Sequence, residues 1–275
     1  VWGSPRLGFG FRVLMDRPRH AWCIIAHHNR ECKRAGAAWY TRRVTDLLGP
    51  ILDACFTALS GRADELDAEH SVYGVDALKE TQTHEIMAFG IRKAGLGLAQ
   101  EAYYPSDDAP IDSARARCDL TVFERADASL LDPVHERRER EREAQTLFGA
   151  ALASCAIGEN ACAPEDAVWV EAKVAAQHAC RDGVFRPNAS YARELVDAPA
   201  RDIERLASDE RIWHGGALLV VFTETEQGFE HDTHAAVGQM VARGLPVRSP
   251  MTRSRAITDR AGNGCMGLAL VPLRV

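Results

Sequence analysis

Residues Ala217-Leu218-Leu219-Val220-Val221-Phe222 form an unbroken apolar run that follows a Gly215-Gly216 turn signal. A run this short is strand-sized. A strand without polar alternation is buried on both faces. A sheet covered on both faces needs helices above and below it, which places the chain in the α/β class. Two further segments have strand character, Cys118 to Phe123 and Val168 to Val174, each rich in Val, Phe, Trp or Thr and with breakers nearby. No apolar run approaches the length of a membrane span.

The remaining elements follow from periodicity. Val44, Leu47, Leu48, Ile51, Leu52, Cys55, Phe56 and Leu59 recur at helical spacing, so residues 35–60 predict an amphipathic helix, kinked or divided at Pro50 and ended by Gly61. A second helix is predicted over 75–94, then a strand from Leu98 to Tyr104, turn chemistry over 105–110, and the strand carrying Asp119. Residues 124–166 interrupt the sheet: the charge run Glu136 to Glu143 and the apolar segment Ala144 to Ile157 read as an inserted helix. Val174 to Arg181 is expected to begin helical. Asn188 to Asp209 is expected as one or two helices broken at Pro199, Thr233 to Arg243 as a helix, and Cys265 to Val275 as a last strand. Antiparallel strands come first, and a helical crossover then leads into the buried strand.

The chemistry lies in the two short strands. Glu171 and Lys173 are two apart and project from one face of their strand. Asp119 sits in the other strand. Carboxylates of this kind suit Mg²⁺, a hard cation that prefers oxygen ligands, and a neighbouring lysine suits a phosphate or an attacking water. The chain has only four lysines, and two of them close an acid-x-Lys tripeptide, Glu31-Cys32-Lys33 and Glu171-Ala172-Lys173. The first lies in a polar stretch beside His27-His28. Only the second lies in an apolar strand.

Asp119 followed by Glu171-x-Lys173 resembles the PD-(D/E)xK nuclease superfamily over roughly residues 75–225, with Cys118 where the family has proline. The resemblance implies a restriction-endonuclease-like αβββαβ core: a mixed sheet flanked by helices, here with an N-terminal helical layer and a helical insertion. It implies an N-terminal helical extension over 1–70 packed on the core, a nuclease domain over 71–275, and the insertion at about 124–166. It implies a Mg²⁺ site, open to Mn²⁺ as a substitute, made by Asp119, Glu171, the Ala172 carbonyl and an acid from the preceding helix. Glu85 is the choice for that acid and Glu80 the alternate. Lys173 would act on the water or the phosphorane, and Gln177 would help position substrate. The implied activity is hydrolysis of nucleic-acid phosphodiesters, DNA foremost, as an endonuclease or exonuclease in restriction, defence or repair. The competing expectation is an inactive protein that keeps the sheet for binding or assembly and uses Glu171–Lys173 as an ion pair.

The net charge is −6, but it is unevenly placed: residues 1–43 carry +7 and residues 241–275 carry +5. Basic ends folded beside the site would form a phosphate-binding face. The eight cysteines form no Cys-x-x-Cys pair, which leaves zinc-ribbon and thioredoxin readings without support and fits a reduced cytoplasmic setting. His231-Asp232-Thr233-His234 lacks zinc-protease spacing, and no nucleophile elbow, Walker loop or Rossmann fingerprint occurs. The expected partners are nucleic acid, no membrane, and a second copy or another protein. The chain begins at Val1, and Met15 is an alternative start, so residues 1–15 are set apart.

Overall fold

The apolar run predicted to be buried is a central strand of a six-stranded mixed sheet. The computed structural model describes residues 46–107, 115–144, 160–181 and 184–274. In chain order the elements are α1 (Leu48–Ala68), α2 (Glu80–Lys93), β1 (Gly97–Tyr103), β2 (Arg117–Phe123), β3 (Ser129–Leu130), α3 (Pro133–Ala144), β4 (Ala161–Cys162) and β5 (Val168–Ala176). They continue with β6 (His178–Arg181), β7 (Val184–Pro187), α4 (Tyr191–Ser208), β8 (His214–Thr223), α5 (Glu226–Ala242), β9 (Met251–Ala256) and β10 (Cys265–Pro272).

The sheet order is β1-β2-β5-β8-β10-β9. The β1–β2 and β2–β5 pairs are antiparallel, and β5–β8 is parallel through the α4 crossover. β8–β10 and β10–β9 are antiparallel again. All ten residues of β8 are buried, as a strand without polar alternation requires. One face of the sheet packs Val168, Val170, Leu218, Val220 and Leu268 against α1 and α2. The other packs Trp169, Leu219, Val221 and Ala269 against α4 and α5. The chain is therefore α/β, with a mixed sheet between helical layers. α1 shares a single apolar cluster with the sheet. No described helix is long and apolar enough to cross a membrane.

Several elements depart from expectation for identifiable reasons. α1 starts at Leu48, so Pro50 falls in its first turn, where the missing N–H has no intrahelical partner to lose. α1 also runs past Gly61, because Ala63 and Leu66 continue the buried stripe. α4 is one helix with Pro199 inside it. A proline there costs about 3 kcal/mol, but burial of Leu195, Val196, Ile203 and Leu206 contributes roughly 1.5–3 kcal/mol each, so packing wins. Residues 174–181 are not helical: β5 continues to Ala176, and β6 then pairs with β7 as a hairpin. β9, a polar strand at the sheet edge, has no apolar signal. Its Arg253 and Arg255 bond Asp53 and Asp64 of α1, and charges of this kind protect an edge from further pairing. Within 124–166, α3 and the short β3–β4 pair are formed; most of the predicted Ala144–Ile157 helix lies outside the described residues.

Candidate functional site

β2 and β5 pair over only three positions, Leu120↔Val170 to Val122↔Val168. Continuing that register would set Asp119 opposite Glu171, but the ladder stops there and the strands part. The Asp119 side chain occupies the gap: its Oδ2 accepts the Ala172 backbone N–H at 2.8 Å. Asp119 stands near enough to Glu171 to push the Glu171 carboxyl upward.

Lys173 enters the same gap. Its Nζ lies 3.3 Å from Asp119 Oδ2, 3.5 Å from Asp202 Oδ2 and 3.9 Å from Glu80 Oε1, and it donates to the Ala172 carbonyl at 3.0 Å. Asp202 comes from α4 and Glu80 from the first turn of α2, so the ammonium is gripped by three elements. Burial works to lower the Lys173 pKa, but the surrounding carboxylates outweigh it and hold the ammonium above the ordinary lysine range.

Glu171 is 2% exposed. Tyr104, just beyond β1, donates its hydroxyl to Glu171 Oε1 at 2.5 Å, and Arg205 of α4 lies 3.9 Å from the same oxygen. Arg205 also lies 3.8 Å from Asp202 Oδ1 and 5.7 Å from the Tyr104 ring centre. Burial pushes the Glu171 carboxyl up to about 8; the Tyr104 hydrogen bond opposes this, and repulsion from Asp119 and Asp202 adds to it. Four acids (Glu80, Asp119, Glu171, Asp202) thus face two cations (Lys173, Arg205), so the fully ionised cluster carries 2 − 4 = −2.

That deficit bears on metal binding. Asp202 Oδ2 is buried without a hydrogen-bond donor, and Asp119, Glu171 and the Ala172 carbonyl present oxygen donors only. Among the described residues no group of three or more His, Cys, Asp or Glu side chains is gathered in a ligating arrangement. The reason is geometric, since the Lys173 ammonium stands between Asp119 and Asp202. Mg²⁺ needs less than a complete protein cage: one or two carboxylates suffice when water and substrate phosphate complete its octahedron. The residues present fit a cation of that kind.

Two expected site residues lie elsewhere. Glu85 is on the outer side of α2 and lines a groove shared with α1. The alternate, Glu80, is the helix acid that reaches Lys173. Helical spacing explains this: Glu80 precedes the buried Thr83, Met87 and Ile91 by three, seven and eleven residues and so lies on the inward stripe. Gln177 is four residues beyond Lys173 along the chain, about 13 Å for extended strand. Its side chain donates to Asp232 Oδ2 at 3.0 Å and accepts the Glu224 N–H at 2.8 Å, tying β5 to α5. Glu31-Cys32-Lys33 and His27-His28 lie outside the described residues. His231 and His234 are exposed on α5, one against Asp232 and the other on the Glu230 carbonyl.

Four of the six arginines in 241–275 are engaged by acids away from the cleft. Arg253, Arg255 and Arg260 pair with Asp53, Asp64 and Asp67 of α1, and Arg243 pairs with Asp197. Among the described residues the basic groups beside Glu171 and Asp119 are Lys173 and Arg205, and Arg205 is about half exposed. Sequence reasoning assigned no role to Tyr104, Asp202 or Arg205. The single local hint was the i, i+3 spacing of Asp202 and Arg205 in an amphipathic helix. Comparison with known proteins finds no matching family model, no matching curated protein and no matching solved structure.

Proposed function

We propose that this protein is a divalent-metal-dependent nuclease of the PD-(D/E)xK type, hydrolysing nucleic-acid phosphodiesters, DNA foremost. The observation that carries this reading is the convergence of Asp119, Glu171 and Lys173 where β2 and β5 part. The element order α2-β1-β2-β5-α4-β8, with β5 and β8 parallel, supports it as well, since it has the helix-strand-strand-strand-helix-strand form of that superfamily's core.

In this reading Asp119, Glu171 and the Ala172 carbonyl hold Mg²⁺ or Mn²⁺. The bound ion would supply Lewis acidity and a water of lowered pKa. The chain's own residues do the rest. Tyr104 fixes the orientation of Glu171 through its hydroxyl. Asp202 and Glu80 hold Lys173 at the mouth of the gap, where its ammonium can donate to a phosphate oxygen as charge develops. Arg205, at the exposed rim, gives the scissile phosphate a second positive contact. Glu85 and Gln177 take no part.

One observation favours the competing reading, a non-enzymatic protein that uses the sheet for binding or assembly. The Lys173 ammonium already lies within 4 Å of three carboxylates, as in a closed structural ion network. Incubation of the purified protein with duplex DNA, single-stranded DNA and RNA separates the two. The nuclease reading expects cleavage with Mg²⁺ or Mn²⁺, none with EDTA, and loss of activity in Lys173→Ala. Absence of cleavage on all three substrates, together with no calorimetric binding of either ion, would establish the non-enzymatic reading instead.

A further inference from the structure

Among the described residues the sheet covers α1 and α2 on one side only. Their outer surface carries a groove of about 880 Å³. Its floor is shallow because the two helices touch: a Cβ on Gly90 would fall 2.6 Å from the Ala54 carbonyl oxygen and 2.7 Å from the Ala58 Cβ. On the rim stands Phe89, 62% exposed. An aromatic ring is the side chain with most to gain from burial at a protein interface. A ring thus stands beside a hollow with small residues on its floor and the charged Asp53, Arg62 and Glu65 of α1 on its far wall.

The charges around Phe89 say what fits there. Glu85 precedes it by four residues and Lys93 follows it by four, so the three form one stripe of α2, with each charge about 6 Å along the axis from the ring. All three are exposed. Among the described residues neither charge has an ion-pair partner; the Lys93 ammonium lies 5.9 Å over its own Phe89 ring. The stripe is antisymmetric about Phe89, negative on one side and positive on the other. A twofold axis through Phe89 and normal to α2 lays one α2 antiparallel on another. It sets Glu85 of each copy against Lys93 of the other and brings the two exposed Phe89 rings together across the axis. A twofold contact is self-complementary by construction, and the α2 stripe meets that condition in charge, with an exposed ring at its centre. A parallel contact would oppose like charges.

We infer that the α1–α2 face is the interface of a twofold homodimer, built on Phe89 and on reciprocal Glu85–Lys93 pairs. Sedimentation equilibrium of the full chain tests it. The wild type is expected to dimerise reversibly below about 100 µM. Glu85→Lys and Lys93→Glu each oppose like charges at two places in the dimer, and each is expected to raise its dissociation constant at least about tenfold. The double variant Glu85→Lys/Lys93→Glu re-forms both pairs with reversed polarity and is expected to return to within about threefold of wild type. Phe89→Asp is expected to be monomeric throughout, with a circular-dichroism spectrum like that of wild type. A wild type that stays monomeric overturns the inference. So do a double variant no better than the singles and a Phe89→Asp protein that still dimerises. A monomeric wild type whose melting temperature falls in Phe89→Asp would mean that another part of the same chain covers the groove.

Discussion

Glu171→Gln isolates the electrostatic load of the candidate site. Burial raises the Glu171 carboxyl from an ordinary value of 4.5 to about 8. A raised pKa means that the folded state holds its proton where the unfolded chain has lost it. The associated stability is therefore complete below about 4.5 and drains away as pH rises towards 8. At about 1.4 kcal/mol per pH unit, the interval bounds the loss at roughly 4–5 kcal/mol. Repulsion from Asp119 and Asp202 is part of that rise and Arg205 lies nearby, so about 2–4 kcal/mol is the expected effect. Glutamine copies the neutral acid and still accepts from Tyr104. The metal-free variant should match wild type at pH 5 and melt higher at pH 8, by roughly 5–10 °C for a domain of this size. Mg²⁺ should raise the wild-type melting temperature at pH 8 and leave the variant unmoved. Differential scanning calorimetry from pH 4.5 to 8.5, with EDTA and with Mg²⁺, makes the comparison. Parallel curves for the two proteins in EDTA would refute the electrostatic account of the cluster.

Other perturbations are equally specific. Lys173→Ala leaves Asp119 and Asp202 facing each other without their cation, and urea unfolding at pH 8 should show a loss of about 1–3 kcal/mol alongside the loss of cleavage. Tyr104→Phe removes the hydrogen bond that opposes the rise in the Glu171 pKa, so the pH-dependent fall in stability should extend to higher pH in calorimetry, with a cost of about 1–2 kcal/mol. Gln177→Ala should leave cleavage within about twofold of wild type while costing about 1–3 kcal/mol, because Asp232 and the Glu224 N–H both lose a partner. Gly267→Ala should destabilise by more than about 1–3 kcal/mol, since its Cβ would fall inside the packed Phe229 ring; thermal melts report it.

The parts of this molecule that were legible in the sequence are those whose signal is local. The run at 217–222 fixed the layered class because burial of a strand is written in its own residues. Glu171-Ala172-Lys173 was legible because strand geometry alone puts two of its side chains on one face. What was hidden comes from a distance. Tyr104 reaches Glu171 across 67 residues of chain, and Asp202 comes from a helix after the intervening hairpin. Neither carries a motif. Glu80 was recoverable from the inward stripe of Thr83, Met87 and Ile91, but nearness in sequence to the next strand pointed to Glu85, which helical rotation turns outward. Residues 174–181 misled for a different reason: alanine-rich apolar sequence fits both periods, and pairing with β8 and β7 decided it. Of the two basic ends, residues 1–43 lie outside the described residues, and in the other Arg253, Arg255 and Arg260 answer the acids of α1, which a charge total does not reveal.

The most direct test of the proposed chemistry is anomalous diffraction from a crystal soaked in Mn²⁺ at pH 8. The account predicts one strong peak in the gap between β2 and β5, coordinated by Asp119, Glu171 and the Ala172 carbonyl, with Lys173 displaced from Asp119 but still held by Asp202. A peak confined to another acidic group, or no peak with Lys173 still seated against Asp119, would contradict it.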